Sequence, residues 1–215
     1  MADYTDGADT AMSVAELIRG YTEYQRHERR DAMYKIAIFI VSHFWGKPDD
    51  MANGMGVLLH TWNQAFYRYG SFDFDKLEEV IQSNFSTIDS FHNRDIVTLQ
   101  KTDDPLIKSL FDEFLEALQI ADGKSKGRKS PVAVAKGLHL LGPAFFPLWD
   151  DKIAKAYGCH YSTYPSEKYV SFSYMMRDIA QQLAPHVSYG DKTVLKLIDE
   201  YNYVRYTKTE WFSNH

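Results

Sequence analysis

SPVAVAKGLHLLGPAFFPLWDDKIAKAYG, residues 130–158, is the stretch that decides the fold. Ser130 is a good N-cap, and Pro131 follows at the first helical position, where a missing N–H costs nothing. Val132, Ala135, Leu138 and His139 recur at helical spacing, with Leu141 beside them. Gly142-Pro143 stops the helix, because glycine tolerates a left-handed exit and proline cannot continue the ladder. Phe145, Phe146 and Pro147 form an apolar turn that must be buried. Asp150 or Asp151 then opens a second helix, where a carboxylate is favoured by unpaired N–H groups and the helix dipole. Gly158 ends it.

The rest of the chain also reads as helix. Ser13 with Glu16 forms a capping box ahead of Val14, Leu17, Ile18, Tyr21 and Tyr24. The apolar run from Met33 to Trp45 is read as a buried helix, because no partner strand with clear alternation occurs elsewhere. Asp49-Asp50 leads into a helix over Met51–Tyr69. Gly54 and Gly56 within it each cost about 1 kcal/mol against alanine and point to close packing with a helix or ligand. Phe74-Asp75 starts a helix, residues 86–101 hold another helical stretch, and Asp104-Pro105 begins a strongly periodic one. A helix from Ser166 through Lys168 to Leu183 ends before Pro185, and Asp191 is read as the cap of the last helix. The expected fold is therefore all-α, a compact domain of about eight to ten helices over 13–206. Residues 1–12 are expected to form a flexible tail and 207–215 a loose polar one. The glycine- and lysine-rich loop 121–130 is the place where two lobes would divide.

Composition narrows the function. The single cysteine, Cys159, excludes an internal disulfide and fits a reducing, cytoplasmic setting. The first dozen residues are acidic and small, with no apolar segment of the kind that directs secretion. The longest fully apolar run, Ile36 to Val41, is far below the roughly 20 residues a membrane helix needs, so no membrane partner is expected. The eight histidines show no His or Cys neighbours at ligand spacing, so no metal is expected. No phosphate loop, dinucleotide fingerprint or serine elbow occurs, and no cofactor is expected. The net charge is −5, yet 124–155 carries seven Lys/Arg against two Asp. A positive island on an acidic chain suggests an anionic ligand met in one place, with Lys124, Lys126, Arg128 and Lys129 the candidate phosphate contacts. The bland alternative is a solvated loop.

The order helix, Gly-Pro turn, apolar loop, then PLWD at a helix start resembles the helix-hairpin-helix DNA glycosylase superfamily. The resemblance covers about 30 residues. It implies a helix-hairpin-helix glycosylase-like fold of orthogonally packed helices and an activity on an N-glycosidic bond in nucleic acid or a nucleoside. In that family a carboxylate just after the hairpin stabilises positive charge on the sugar, a lysine in some members forms a Schiff base, and hairpin amides hold a DNA phosphate. On this chain Asp150 would be the carboxylate and Lys136 the nucleophile, with Lys129 an alternative. Taken alone, Asp150 is also an ordinary helix cap, and Lys136 a lysine whose stem packs while its amine reaches out.

A second constellation runs from Trp62 to Arg68: on a helix Asn63 and Tyr67 are one turn apart, as are Gln64 and Arg68, and with Trp62 stacking they could read a planar base, Trp149 beside Asp150 being a further candidate contact. The alternative is a core-facing Trp62 with a solvated Gln64/Arg68 face. His43 and His60 read as core histidines, and His139 as a group that tunes Lys136. The competing functional class is a non-enzymatic helical protein, of the bacterial-defence kind, that binds nucleic acid or an unknown protein partner.

Overall fold

A computed structural model describes residues 12–187, 190 and 192–212. The described residues are all-α, with eleven α-helices, short 3-10 turns, one π-turn and no strand. The helices are α1 (Val14–His27), α2 (Ala32–His43), α3 (Pro48–Trp62), α4 (Phe74–Ser83), α5 (Phe85–His92), α6 (Asp104–Ala117), α7 (Pro131–Leu141), α8 (Asp151–Ala156), α9 (Pro165–Leu183), α10 (Val194–Asn202) and α11 (Thr209–Phe212). The count exceeds expectation by α11, a four-residue helix in the stretch expected to be a loose polar tail.

The opening stretch folds as its local signals dictate except at the exit of α7, where Gly142 has φ −148° and ψ 76°, not a left-handed conformation, and is needed for space: a Cβ there would stand 3.0 Å from the Phe146 ring. The Ser130 hydroxyl accepts from Ala133 N at 3.2 Å, Pro131 sits at the first helical position, and Gly142 is the C-cap of α7. The apolar bend is buried, with Phe145 and Phe146 at its centre. Its carbonyls are nearly all accounted for. Leu141 O accepts from His92, Gly142 O from Phe145 N and Phe146 N, and Pro143 O from the Thr193 hydroxyl. Ala144 O accepts from Ile96 N, Phe146 O from His139, and Pro147 O from the Tyr169 hydroxyl. Buried carbonyls left without donors would be costly, so this matching fixes the bend in one conformation.

Helix α7 lies against α2, α3, α5 and α6. Gly137 lets it close on Met55 of α3: a Cβ there would stand 2.6 Å from the Met55 Cε. The glycines of α3 serve the same purpose. A Cβ on Gly54 would meet Ile40 and Val41 of α2 at 2.9 Å, and one on Gly56 would meet the Phe74 ring at 2.6 Å.

Several expectations change. Helix α3 stops at Trp62, and Asn63–Tyr69 is a series of turns. Helix α2 is not buried all round: Met33, Ile36 and Phe39 are exposed, and His43 stacks on Phe39 at the surface instead of lying in the core. The cap of α10 is Thr193, whose hydroxyl accepts from Lys196 N; Asp191 lies outside the described residues, as do 1–11 of the expected N-terminal tail and 213–215 of the C-terminal one. Residues 207–212 pack onto the body. Trp211 stacks on His27 with centroids 4.3 Å apart, and Arg19 lies over the Phe212 ring and donates to Phe212 O. Loop 121–130 is tied back by Ala121 N to Ser71 O and Gly127 N to Ile120 O, and α6 and α7 on its two sides pack together within one core cluster.

Candidate functional site

The bend carries Lys136 on α7 and Asp150 ahead of α8 to one hollow of about 280 Å³. That is at the small end of ligand pockets, roughly 300–1,000 Å³, with room for one ring system. Trp62 ends α3 at its wall, Trp149 stands beside Asp150, and Tyr24 and Tyr203 enter from the two ends of the chain. Glu28, Asp31 and Asp199 add carboxylates.

Lys136 is partly buried, and its bonded partners are neutral. Its Nζ donates to Trp62 O at 3.0 Å and to Asn63 Oδ1. Burial pushes its pKa down to about 8, against the opposing charges of Asp150 and Asp199. About one molecule in ten therefore carries the neutral amine at pH 7. A neutral amine has two N–H groups and a lone pair, and the two oxygens can take both N–H groups.

Asp150 caps α8, with Oδ1 accepting from Ile153 N at 2.8 Å. Its Oδ2 accepts from the Thr207 hydroxyl at 2.5 Å. Thr207 belongs to the π-turn Tyr203–Thr207, so the C-terminal segment is what holds the free edge of this carboxylate. The cap is real, and it lines the hollow as well.

Beneath the hollow lies a buried cation that the sequence reading passed over. Lys196 Nζ sits 3.2 Å from Asp199, 3.3 Å from Asp31 and 3.6 Å from Glu200. Tyr24, Tyr34 and Trp62 surround it, with ring centroids 5.1, 4.5 and 5.1 Å away. Burial works to lower its pKa, but Asp199, Tyr24, Asp31 and Glu200 together outweigh it and hold the ammonium charged. Lys192 also pairs with Glu200, at 2.5 Å. Three carboxylates face two ammonium groups, so the acids are in surplus, and burial raises the pKa of Asp199 and of Glu200. Asp31 is held in the left-handed region, φ 43° and ψ 42°, a conformation costing about 1 kcal/mol or more that the Lys196 contact helps to fix.

Of the proposed base-reading residues, Trp62 and Trp149 line the hollow and Asn63 binds the Lys136 amine from behind. Trp62 stacks on Tyr34 with centroids 5.6 Å apart. Tyr67 is not part of the group. Once α3 ends at Trp62, the one-turn pairing of Asn63 with Tyr67 is lost; the Tyr67 hydroxyl donates to Leu118 O at 2.8 Å, and its ring packs on Phe66 and Phe72. His139 does not tune Lys136 directly. Its Nδ1 donates to Phe146 O, so Nε2 accepts from the Tyr34 hydroxyl at 2.9 Å, and burial pushes its pKa down to about 3. His60 shares a hydrogen bond with Ser71 and stacks on Phe72.

The basic loop is a separate place. Lys129 pairs with Glu116, ruling it out as the hollow's amine; Arg128 lies over the Phe66 ring, and Lys126 lines a different hollow with Asp73 and Lys76. Lys124 is exposed.

Tyr24, Asp31, Asp199 and Tyr203 were not singled out from the sequence. Lys196, Asp199 and Glu200, spaced i, i+3, i+4, look like ordinary surface pairs; the available signal was their position on the same short helix as Leu195, Leu197 and Ile198. Among the described residues no group of three or more His, Cys, Asp or Glu side chains is arranged to hold a metal ion, and no helix is long and apolar enough to cross a membrane. The chain matches no family model, no curated protein and no solved structure.

Proposed function

We propose that this protein is an N-glycosidase acting on a nucleoside unit of nucleic acid, with Lys136 as nucleophile and Asp150 as the carboxylate that stabilises the sugar. The observation that carries this reading is that one small aromatic hollow holds both an amine with its pKa lowered to about 8 and a fixed carboxylate. Perturbed lysines in clefts are candidates for covalent work because the neutral amine is the attacking form.

In the proposed reaction a base enters between Trp62 and the Trp149 side of the hollow, having left any duplex stack. Positive charge grows on the sugar as the bond to the base weakens, and the Asp150 carboxylate lowers its energy. The Lys136 amine bonds to the anomeric carbon, the carbon–nitrogen bond to the base breaks, and its electron pair leaves with the base. The departing base takes up one of the two protons on the new ammonium nitrogen. The second proton passes to the ring oxygen as the carbon–oxygen bond of the sugar ring breaks, leaving an imine on Lys136 and a free hydroxyl. No metal or cofactor takes part in these steps.

The test is borohydride trapping. Oligonucleotide duplexes carrying an abasic site or an oxidised or alkylated base are incubated with the protein and reduced. The expected result is a covalent adduct, lost in Lys136→Met and retained in Lys129→Met. Its rate should rise with pH and level off above about 8, where the amine is neutral. No adduct on any of these substrates, with a folded protein, overturns the reading.

A further inference from the structure

The hollow poses a charge problem for a nucleic-acid ligand. Its lining carries Glu28, Asp31, Asp150 and Asp199 against Lys136, so a phosphate is repelled from the interior while a neutral, N–H-bearing ring is not. The backbone of such a ligand must be held at the mouth. Within the α7–α8 bend, the N–H groups of Gly142, Phe145 and Phe146 do not supply that contact, because they are spent on Leu138 O and Gly142 O, inside the protein.

The structure assigns the phosphate contacts to a collar around the mouth, led by Arg29 and Arg30 and completed by Lys152 and Lys208. Arg29 and Arg30 occupy the bend between α1 and α2, directly between Glu28 and Asp31, which line the hollow. Both are exposed, and neither side chain makes a hydrogen bond or ion pair among the described residues. The bend is fixed at both ends. Glu28 N bonds to Tyr24 O at 2.8 Å, and Asp31 is locked in a left-handed conformation against buried Lys196. Two unpaired guanidinium groups on a pinned backbone suit phosphate, which they can meet with paired N–H donors.

The other cations are carried in by contacts at the same rim. Trp211 stacks on His27, three residues before Arg30, and Lys208 lies over the Trp211 ring. Thr207 reaches Asp150, and Lys152 donates to Thr207 O at 3.1 Å. The segments 27–31 and 150–152 are thus tied together through 207–211 beside the hollow, whose lining is acidic, with exposed Arg29 and Arg30 outside it near Lys152 and Lys208, the last of which also pairs with Glu210 at 3.9 Å. That sorting fits a polyanion whose uncharged bases can be separated from its phosphates. An acidic protein surface has no part that would enter the hollow. The inference rests on the nucleic-acid reading above, and it moves the phosphate contacts away from loop 124–129.

The test uses the full chain and a fluorescein-labelled 20-mer duplex carrying a stable abasic analogue, with binding followed by anisotropy between 50 and 200 mM salt. Plotted as log affinity against log salt, the slope should weaken by about 0.9 for each arginine that neutralises a phosphate. Arg29→Ala/Arg30→Ala should therefore lose most of two such units, with the melting temperature unchanged. Lys124→Ala/Lys126→Ala should keep the wild-type slope. A slope that follows the loop pair and ignores the arginines overturns the collar, as does an absence of salt-dependent binding. Trapping separates the two proposals: binding lost in the arginine variant without any adduct in wild type keeps the collar and removes the glycosidase, whereas an adduct with binding untouched by Arg29 and Arg30 does the reverse.

Discussion

Lys136 and Lys196 lie 5.8 and 5.1 Å from the centroid of the same Trp62 ring, and their environments drive them in opposite directions. Lys136 bonds to a carbonyl and an amide oxygen, and burial pushes its pKa down to about 8. Lys196 is still more deeply buried, but three carboxylates lie within 3.6 Å and keep its pKa well above the ordinary value. Burial lowers a lysine only while acids stay out of reach. One lysine is thus left poised for chemistry, and the other holds the floor of the hollow together. The comparison can be broken by experiment on either side.

The largest effect belongs to Lys196. Lys196→Met leaves Asp31, Asp199 and Glu200 buried with Lys192 as their remaining nearby ammonium. Removing one partner of a buried ion cluster costs about 3–5 kcal/mol, because the other charges stay desolvated. Urea titration should show that loss at pH 7. A change below about 1 kcal/mol would mean that the cluster is wet, and that its control over Asp31 is weak. The same variant should loosen the α1–α2 bend, seen as faster amide exchange at Glu28–Asp31.

How much of this was readable in advance follows from the range of each interaction. The α7–bend–α8 unit was readable because Ser130-Pro131, Gly142-Pro143, Asp150 and Gly158 are local signals, each acting within a turn of itself. The end of α3 was not. No glycine or proline occurs between Trp62 and Tyr69, and the helix stops because Asn63 turns its side chain to Lys136 and Ser130, partners 73 and 67 positions away. The tail after 206 looked polar, yet Trp211 and Phe212 find His27 and Arg19 at the far end of the chain. The hollow divides in the same way. Lys136, Asp150 and Trp149 share one readable unit, whereas Asp31, Asp199, Tyr24 and Tyr203 arrive through tertiary packing that no spacing encodes. Lys136 could be nominated as a lysine near an acid; that its bonded partners would be neutral, and its pKa therefore low, depended on where α3 stopped.

Lys136 gives the second prediction, read as a pH dependence of stability. Its native pKa of about 8 lies below the unfolded value of about 10.4, so between those limits the unfolded chain binds more protons. Stability owed to this group is therefore lowest below pH 8 and rises as pH climbs through the window. Lys136→Met should lack that rise, so the wild type gains on the variant between pH 8 and 10. At neutral pH the variant is expected within about 2 kcal/mol of wild type, because relief of the buried charge offsets a Trp62 carbonyl left unbonded. Parallel pH curves for the two proteins would show that the amine is hydrated and unperturbed.

The finest test asks whether adding or removing an acid moves Lys136 as the comparison requires. The charge of Asp150 raises the Lys136 pKa against the pull of burial, so removing that charge should lower it further. Asparagine is nearly as good a cap as aspartate, so Asp150→Asn should keep α8 and change stability by less than about 0.5 kcal/mol. Asp150→Ala loses both the cap to Ile153 N and the Thr207 hydrogen bond, and should cost about 0.5–2 kcal/mol. The pKa itself can be followed by the carbon-13 shift of the reductively methylated lysine, without any turnover. A drop in Asp150→Asn, with α8 intact, would place the carboxylate within electrostatic reach of the amine. An unmoved value would mean that solvent screens the two groups from one another, and the hollow would then be two independent walls instead of one reactive pair.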